Sequence, residues 1–129
     1  MNRFWQILKI VLGAFLVYAG SMHFTNPDFF LKVIPPFLAE YGLPIVYISG
    51  VMEIIIGIMT LIKAYEVQGL TGYLALMLVF LPLHIGDVFD DTPFTGSQNA
   101  AWIRLVIQFV LIGLLWKLRN VFNIKKPNK

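Results

Sequence analysis

PIVYISGVMEIIIGIMTLI, residues 44–62, is hydrocarbon almost throughout, with a single carboxylate, Glu53, near its middle. The apolar core of a bilayer takes about 17–25 such residues as a helix. The stretch is read as a membrane span, and Glu53 as a charge that needs a partner inside it. An unpaired charge at mid-membrane costs about 2.5–3.5 kcal/mol on insertion scales. Pro44 can open the span, because the first helical N–H has no intrahelical partner to lose. Ser49 stands one turn above Glu53 on the same face, and Gly57 one turn below.

The rest of the chain has the same character. Of its 129 residues, 58% are hydrophobic and 13% charged, and the mean hydropathy is +0.76. A soluble domain has about 45–50% apolar and about 25% charged residues. Further spans are predicted at 4–22, 67–85 and 101–118. The expected fold is all-α: a four-transmembrane-helix bundle, with residues 1–129 as one domain. Cysteine is absent, which excludes disulfides, CxxC redox chemistry and cysteine–zinc sites. The net charge of +3 does not imply nucleic acid, because the basic residues flank apolar segments, where lipid headgroups lie. Ala19-Gly20-Ser21 resembles a signal-peptide cleavage site, but the thin basic region before it favours an uncleaved first span.

With four crossings, both termini share one side. That side receives Arg3, Lys9, Lys63, Lys117, Arg119, Lys125, Lys126 and Lys129, with Lys9 expected to snorkel to the interface. The other side receives Lys32 and most of the acids. The positive-inside rule then places both termini in the cytoplasm of a multi-pass protein of the cell (inner) membrane. Trp5 and Trp116 fall at the inner interface and Trp102 at the outer.

The connection 23–43 is more than a loop. Asn26-Pro27-Asp28 reads as a helix start, with Asn as N-cap and Pro at the first position. Phe29, Phe30, Val33 and Phe37 give it an apolar face, and Pro35-Pro36 stops it. A short helix in the outer interface, or folded over the bundle as a lid, is expected. The 63–66 connection is short and makes the second and third spans a hairpin. The 86–100 connection is acidic and contains Pro93 and Gly96, as an exposed loop would.

The intramembrane polar residues gather at the outer end. FLPLHIGDVF at 80–89 ends the third span with His84 and Asp87, and Pro82 should bend the helix and free the carbonyl of Leu78. Arg104 and Gln108 lie one turn apart on the fourth span, and His23 closes the first. Gly13, Gly20 and His23 share a face that invites close helix packing. Tyr73, Met77, Phe80 and His84 form one stripe. These residues are expected to build an apolar pocket with a polar rim, the usual form of a small-molecule site. Ligand-binding candidates are Glu53, Arg104, Gln108, His84, His23, Ser49 and Asp87. The plainer alternative is that Glu53 and Arg104 form a structural ion pair and the rest tie helices together. A metal site from His23, His84, Asp87 and Glu53 has no supporting motif, so none is expected.

Three segments carry a resemblance. GSMHFTNPDFFLKVIPPFL at 20–38, ISGVMEIIIGI at 48–58 and RLVIQFVLIGLLW at 104–116 resemble the DoxX-like family of small four-helix membrane proteins. Its HF-x-x-P-x-x-F pattern falls on His23, Phe24, Pro27 and Phe30, its SG-x-x-E on Ser49, Gly50 and Glu53, and its R-x-x-x-Q on Arg104 and Gln108. In the third helix, relatives usually carry Phe-Pro and then Asn, where this chain has Leu81-Pro82 and His84. The resemblance implies a redox-linked accessory subunit or a quinone- or lipid-binding protein, since members are linked to quinone-dependent oxidation and membrane oxidoreductase complexes. A distant branch resembles an assembly chaperone, which implies the alternative of a membrane-protein assembly factor acting through helix contacts. No covalent cofactor is implied, and quinone or lipid is the expected ligand. No ligand set for haem or an iron–sulfur cluster is present, so electrons would come from a partner or a quinol. The expected partners are the lipid bilayer and either another membrane protein or a second copy of the chain.

Overall fold

The structure is a computed structural model that describes residues 3–32, 34, 36–89 and 97–125, excepting the side chains of Pro36 and Lys125. The expected residues Val33, Pro35, Asp90, Asp91, Pro93, Gly96, Lys126 and Lys129 lie outside the described residues. The chain forms α1 (Arg3–Thr25), α2 (Pro27–Leu31), a 3₁₀ turn at Pro36–Tyr41, α3 (Gly42–Leu61), a 3₁₀ turn at Lys63–Tyr65, α4 (Glu66–Val88) and α5 (Gln98–Lys125). No strand occurs among the described residues. Four helices are long and apolar enough to cross a membrane, ending at Thr25, Leu61, Val88 and about Ile124. The all-α four-helix bundle is therefore as expected. Its helices overrun the predicted spans at most ends, because a helix need not stop where the hydrocarbon does.

Three details differ from the sequence reading. Asn26 sits at the N-cap position of α2 but makes no side-chain cap, so Pro27, with its fixed φ, is what opens this helix. The helix then ends at Leu31, before the two prolines, and Pro36 starts a separate 3₁₀ turn. α2 packs on both α3 and α1. α3 starts at Gly42, so Pro44 falls inside its first turn.

Small residues decide how the bundle closes. The buried face of α1 is Lys9, Gly13, Leu16, Gly20 and His23. That of α3 includes Val46, Gly50, Glu53, Gly57 and Thr60. Alternating steps of four and three are the seam of a close helix pair. A Cβ on Gly20 would lie 2.7 Å from the carbonyl oxygen of Gly50, and one on Gly57 would lie 2.9 Å from that of Gly13. The two backbones are thus in contact at two levels. α3 meets α4 in the same way, since a Cβ on Gly69 would run into the backbone nitrogen of Thr60.

α1 packs chiefly on α3, and α4 on α5. The α3–α4 contact joins the two pairs, while α1 and α5 touch only slightly. Leu16, Leu70, Tyr73, Leu74, Leu115 and Leu118 are central in the main core. A smaller cluster of Val88, Ala101 and Leu105 closes the other end of the α4–α5 pair. The outer surface carries Phe15, Ile55, Val79, Val106 and many more large apolar residues. That surface suits acyl chains rather than water.

Candidate functional site

The seven candidate residues do not form one cluster. They divide between the two helix pairs.

The first group lies in the α1–α3 seam. His23 Nδ1 is 2.9 Å from the carbonyl oxygen of Val46, and His23 Nε2 is 2.7 Å from Glu53 Oε2. A carbonyl only accepts, so Nδ1 must carry a proton. The Nε2 edge of the ring then faces the Glu53 carboxyl group. Both residues are buried, at 6% and 5% exposure. The contact is close but poorly aligned, and Oε2 completes no directed hydrogen bond. It is held electrostatically, with acceptor capacity left over. Position is dictated by the glycines: a Cβ on Gly50 would lie 2.7 Å from the Cβ of His23, and one on Gly20 would lie 3.0 Å from the Cβ of Glu53. Only small residues at those points let the pair meet. Phe30 of α2 stacks on the imidazole at 3.8 Å between centroids, and Phe24 stacks on Tyr47 beside it at 5.3 Å. Ser49 is half-buried one turn from Glu53.

The second group lies between α4 and α5. Arg104 Nε donates to His84 Nδ1 at 3.2 Å. That bond needs the Nδ1 lone pair, so the ring bears its proton on Nε2. Asp87, one turn beyond His84 and also buried, is within electrostatic reach of both His84 and Arg104. Arg104 itself is exposed on the flank of α5. Gln108, buried one turn deeper, donates from Nε2 to the carbonyl oxygen of Met77 at 2.8 Å.

One expectation is corrected here. Glu53 pairs with His23, not with Arg104, whose partner is His84. Each ion pairs within its own helix pair because α1–α3 and α4–α5 are the intimate contacts of the bundle. Near Pro82, the backbone carbonyl that Gln108 takes is that of Met77. α4 runs on through Pro82 to Val88.

A third polar contact was not anticipated. Lys9 Nζ bonds Glu66 Oε2 at 2.8 Å. Both are 7% exposed, and the ammonium lies 5.1 Å from the ring centre of Phe122. Lys9 does not snorkel. The available signal was its register: it precedes Gly13 by one turn and Leu16 by two, on the buried face of α1. Among the described residues, no group of three or more His, Asp or Glu could hold a metal ion.

No curated protein and no solved structure matches the chain. A family model does match, over residues 12–119. That stretch runs from within α1 to the last turns of α5 and includes both outer polar groups. The chain therefore belongs to the family described as Domain of unknown function (DUF8561).

Proposed function

We propose that this is a redox-linked membrane accessory protein that binds an amphipathic ligand, a quinone or a lipid, at the loop end of the bundle beneath α2. In this proposal the termini face the cytoplasm, as the basic residues on their side favour, and the chain is a relative of the DoxX-like proteins. The observation that carries it is Glu53. A carboxyl 5% exposed in a membrane span, 2.7 Å from an oriented imidazole, is costly to keep and suited to exchanging a proton with a bound quinone. Tyr73 lies within its electrostatic reach from α4. Electrons would be carried by the ligand and a partner, because the residues described offer no redox centre of their own.

The test is a melt of the purified protein in mild detergent with and without a short-chain quinone, alongside mass spectrometry of its lipid extract. A bound quinone and a rise in melting temperature, lost in Glu53→Gln and kept in Arg104→Gln, are the expected results. A second reading, an assembly factor, is favoured by Gly113. This residue lies exposed on α5 with nothing near the position of a Cβ, which would let a client helix approach closely. A stoichiometric membrane partner with no quinone and no thermal shift would decide for that reading.

A further inference from the structure

A groove of about 440 Å³ opens between α4 and α5, lined by Val67, Gln68, Thr71, Arg119 and Asn123. It lies at the end of the bundle that holds the termini, away from the site proposed above. Its polar lining consists of donors and amides, with no acid. Thr71 donates its hydroxyl to the carbonyl of Val67 at 2.7 Å, which leaves its oxygen to accept Arg119 Nε at 2.8 Å. The guanidinium is therefore held by one edge. Its Nη1 meets Asn120 Oδ1 only at the long distance of 3.5 Å. Among the described residues it forms no ion pair, and Glu66, the acid of this end, is taken by Lys9.

Depth adds the second argument. α5 has 28 residues, about 42 Å of helix at about 1.5 Å per residue, against about 30 Å of hydrocarbon. Its last turns must project into the headgroup layer. Trp116, exposed at 59%, marks the interface as aromatic belts do, and Arg119 follows it by about one turn. A half-anchored guanidinium at that level, in a groove with amide donors, meets the phosphate oxygens of the bilayer.

We propose that this groove is a binding site for the phosphate head of an anionic phospholipid. Arg119 offers its terminal N–H groups to the phosphate, Gln68 and Asn123 donate from the rim, and Val67 takes the start of an acyl chain. The arrangement of a basic pocket between membrane helices is one that holds anionic heads, and arginine matches phosphate geometry.

The experiment is native mass spectrometry of the full chain from a neutral detergent. The probes are phosphatidylglycerol, phosphatidylcholine and, in a separate arm, inorganic phosphate. Wild type should retain phosphatidylglycerol over phosphatidylcholine by about fivefold, the preference one basic group gives near a membrane surface. Arg119→Gln should erase that preference. So should Gln68→Glu, an exposed rim change that puts a carboxylate in the groove while leaving Arg119 and Thr71 themselves unaltered. Lys117→Gln, outside the groove, should keep it. Equal retention of the two lipids by wild type overturns the proposal, as does an unchanged preference in both groove variants. An equal loss in Lys117→Gln would reveal a diffuse basic surface and also overturn it. Displacement of the lipid by millimolar inorganic phosphate would make this a free-phosphate site instead.

Discussion

At the scale of residues, the outer polar groups are two separate sets rather than one. Glu53 answers to His23 across the α1–α3 seam, and Arg104 to His84 across α4–α5. A double-mutant cycle separates these. Glu53→Gln and His23→Gln should be non-additive by about 0.5–3 kcal/mol, whereas Glu53→Gln and Arg104→Gln should add within about 0.3–0.5 kcal/mol. Unfolding followed by circular dichroism in mixed micelles reads both cycles. Strong coupling between Glu53 and Arg104 would contradict the arrangement described. Which residues carry the polarity was legible in the sequence, because a lone Glu, Arg or Gln inside an apolar run is conspicuous. Who partners whom was not. Pairing depends on the rotation of each helix about its axis and on which helices are in contact, and hydropathy specifies neither. Lys9 failed for a related reason. A lysine in the early turns of a span looks like a snorkelling residue until its place on the Gly13–Leu16–Gly20 face is weighed.

At the scale of elements, glycine sets the distances. Gly20 and Gly50 bring α1 and α3 to backbone contact, and that contact is what lets a histidine and a glutamate meet. Gly50→Ala would place a methyl 2.7 Å from the Cβ of His23 and 2.9 Å from the carbonyl oxygen of Gly20. Overpacking of this kind costs about 1–3 kcal/mol. The expected result is a lower melting temperature for Gly50→Ala. Gly113→Ala meets nothing within the chain and should be neutral or stabilising, since alanine gains up to about 1 kcal/mol in helix propensity. The small-residue face of α1 could be seen in the sequence from Gly13, Gly20 and His23. The matching face of α3 was half-visible through Ser49, Glu53 and Gly57, although Gly50, rather than Ser49, joins Gly57 in making the close contacts. α2 was legible from Asn26-Pro27-Asp28, but its length was not. Where so short a helix ends depends on what it packs against, here Phe30 on His23.

At the scale of the whole molecule, four spans in alternating directions put the Lys63–Tyr65 turn and the start of α5 on opposite faces of the membrane. Because native cysteine is absent, single cysteines at Lys63 and Ser97 can be labelled without background. An impermeant maleimide should reach one from each side, and labelling of both from the same side would remove one crossing. This level was the most legible of the three, because bilayer thickness imposes it on composition directly. The order in which the chain is made gives the Lys9–Glu66 bond a further meaning. Synthesis delivers α1 well before α4, and N-terminal parts assemble first. During that interval Lys9 lacks the acid it pairs with in the finished bundle, and its ammonium can reach the headgroups on its long stem. Once Glu66 has been made, the buried pair can close beside Phe122. The ion pair would then be a contact completed late in biogenesis, and a nascent chain halted before residue 66 should leave Lys9 open to an amine-reactive probe that its burial in the finished protein excludes.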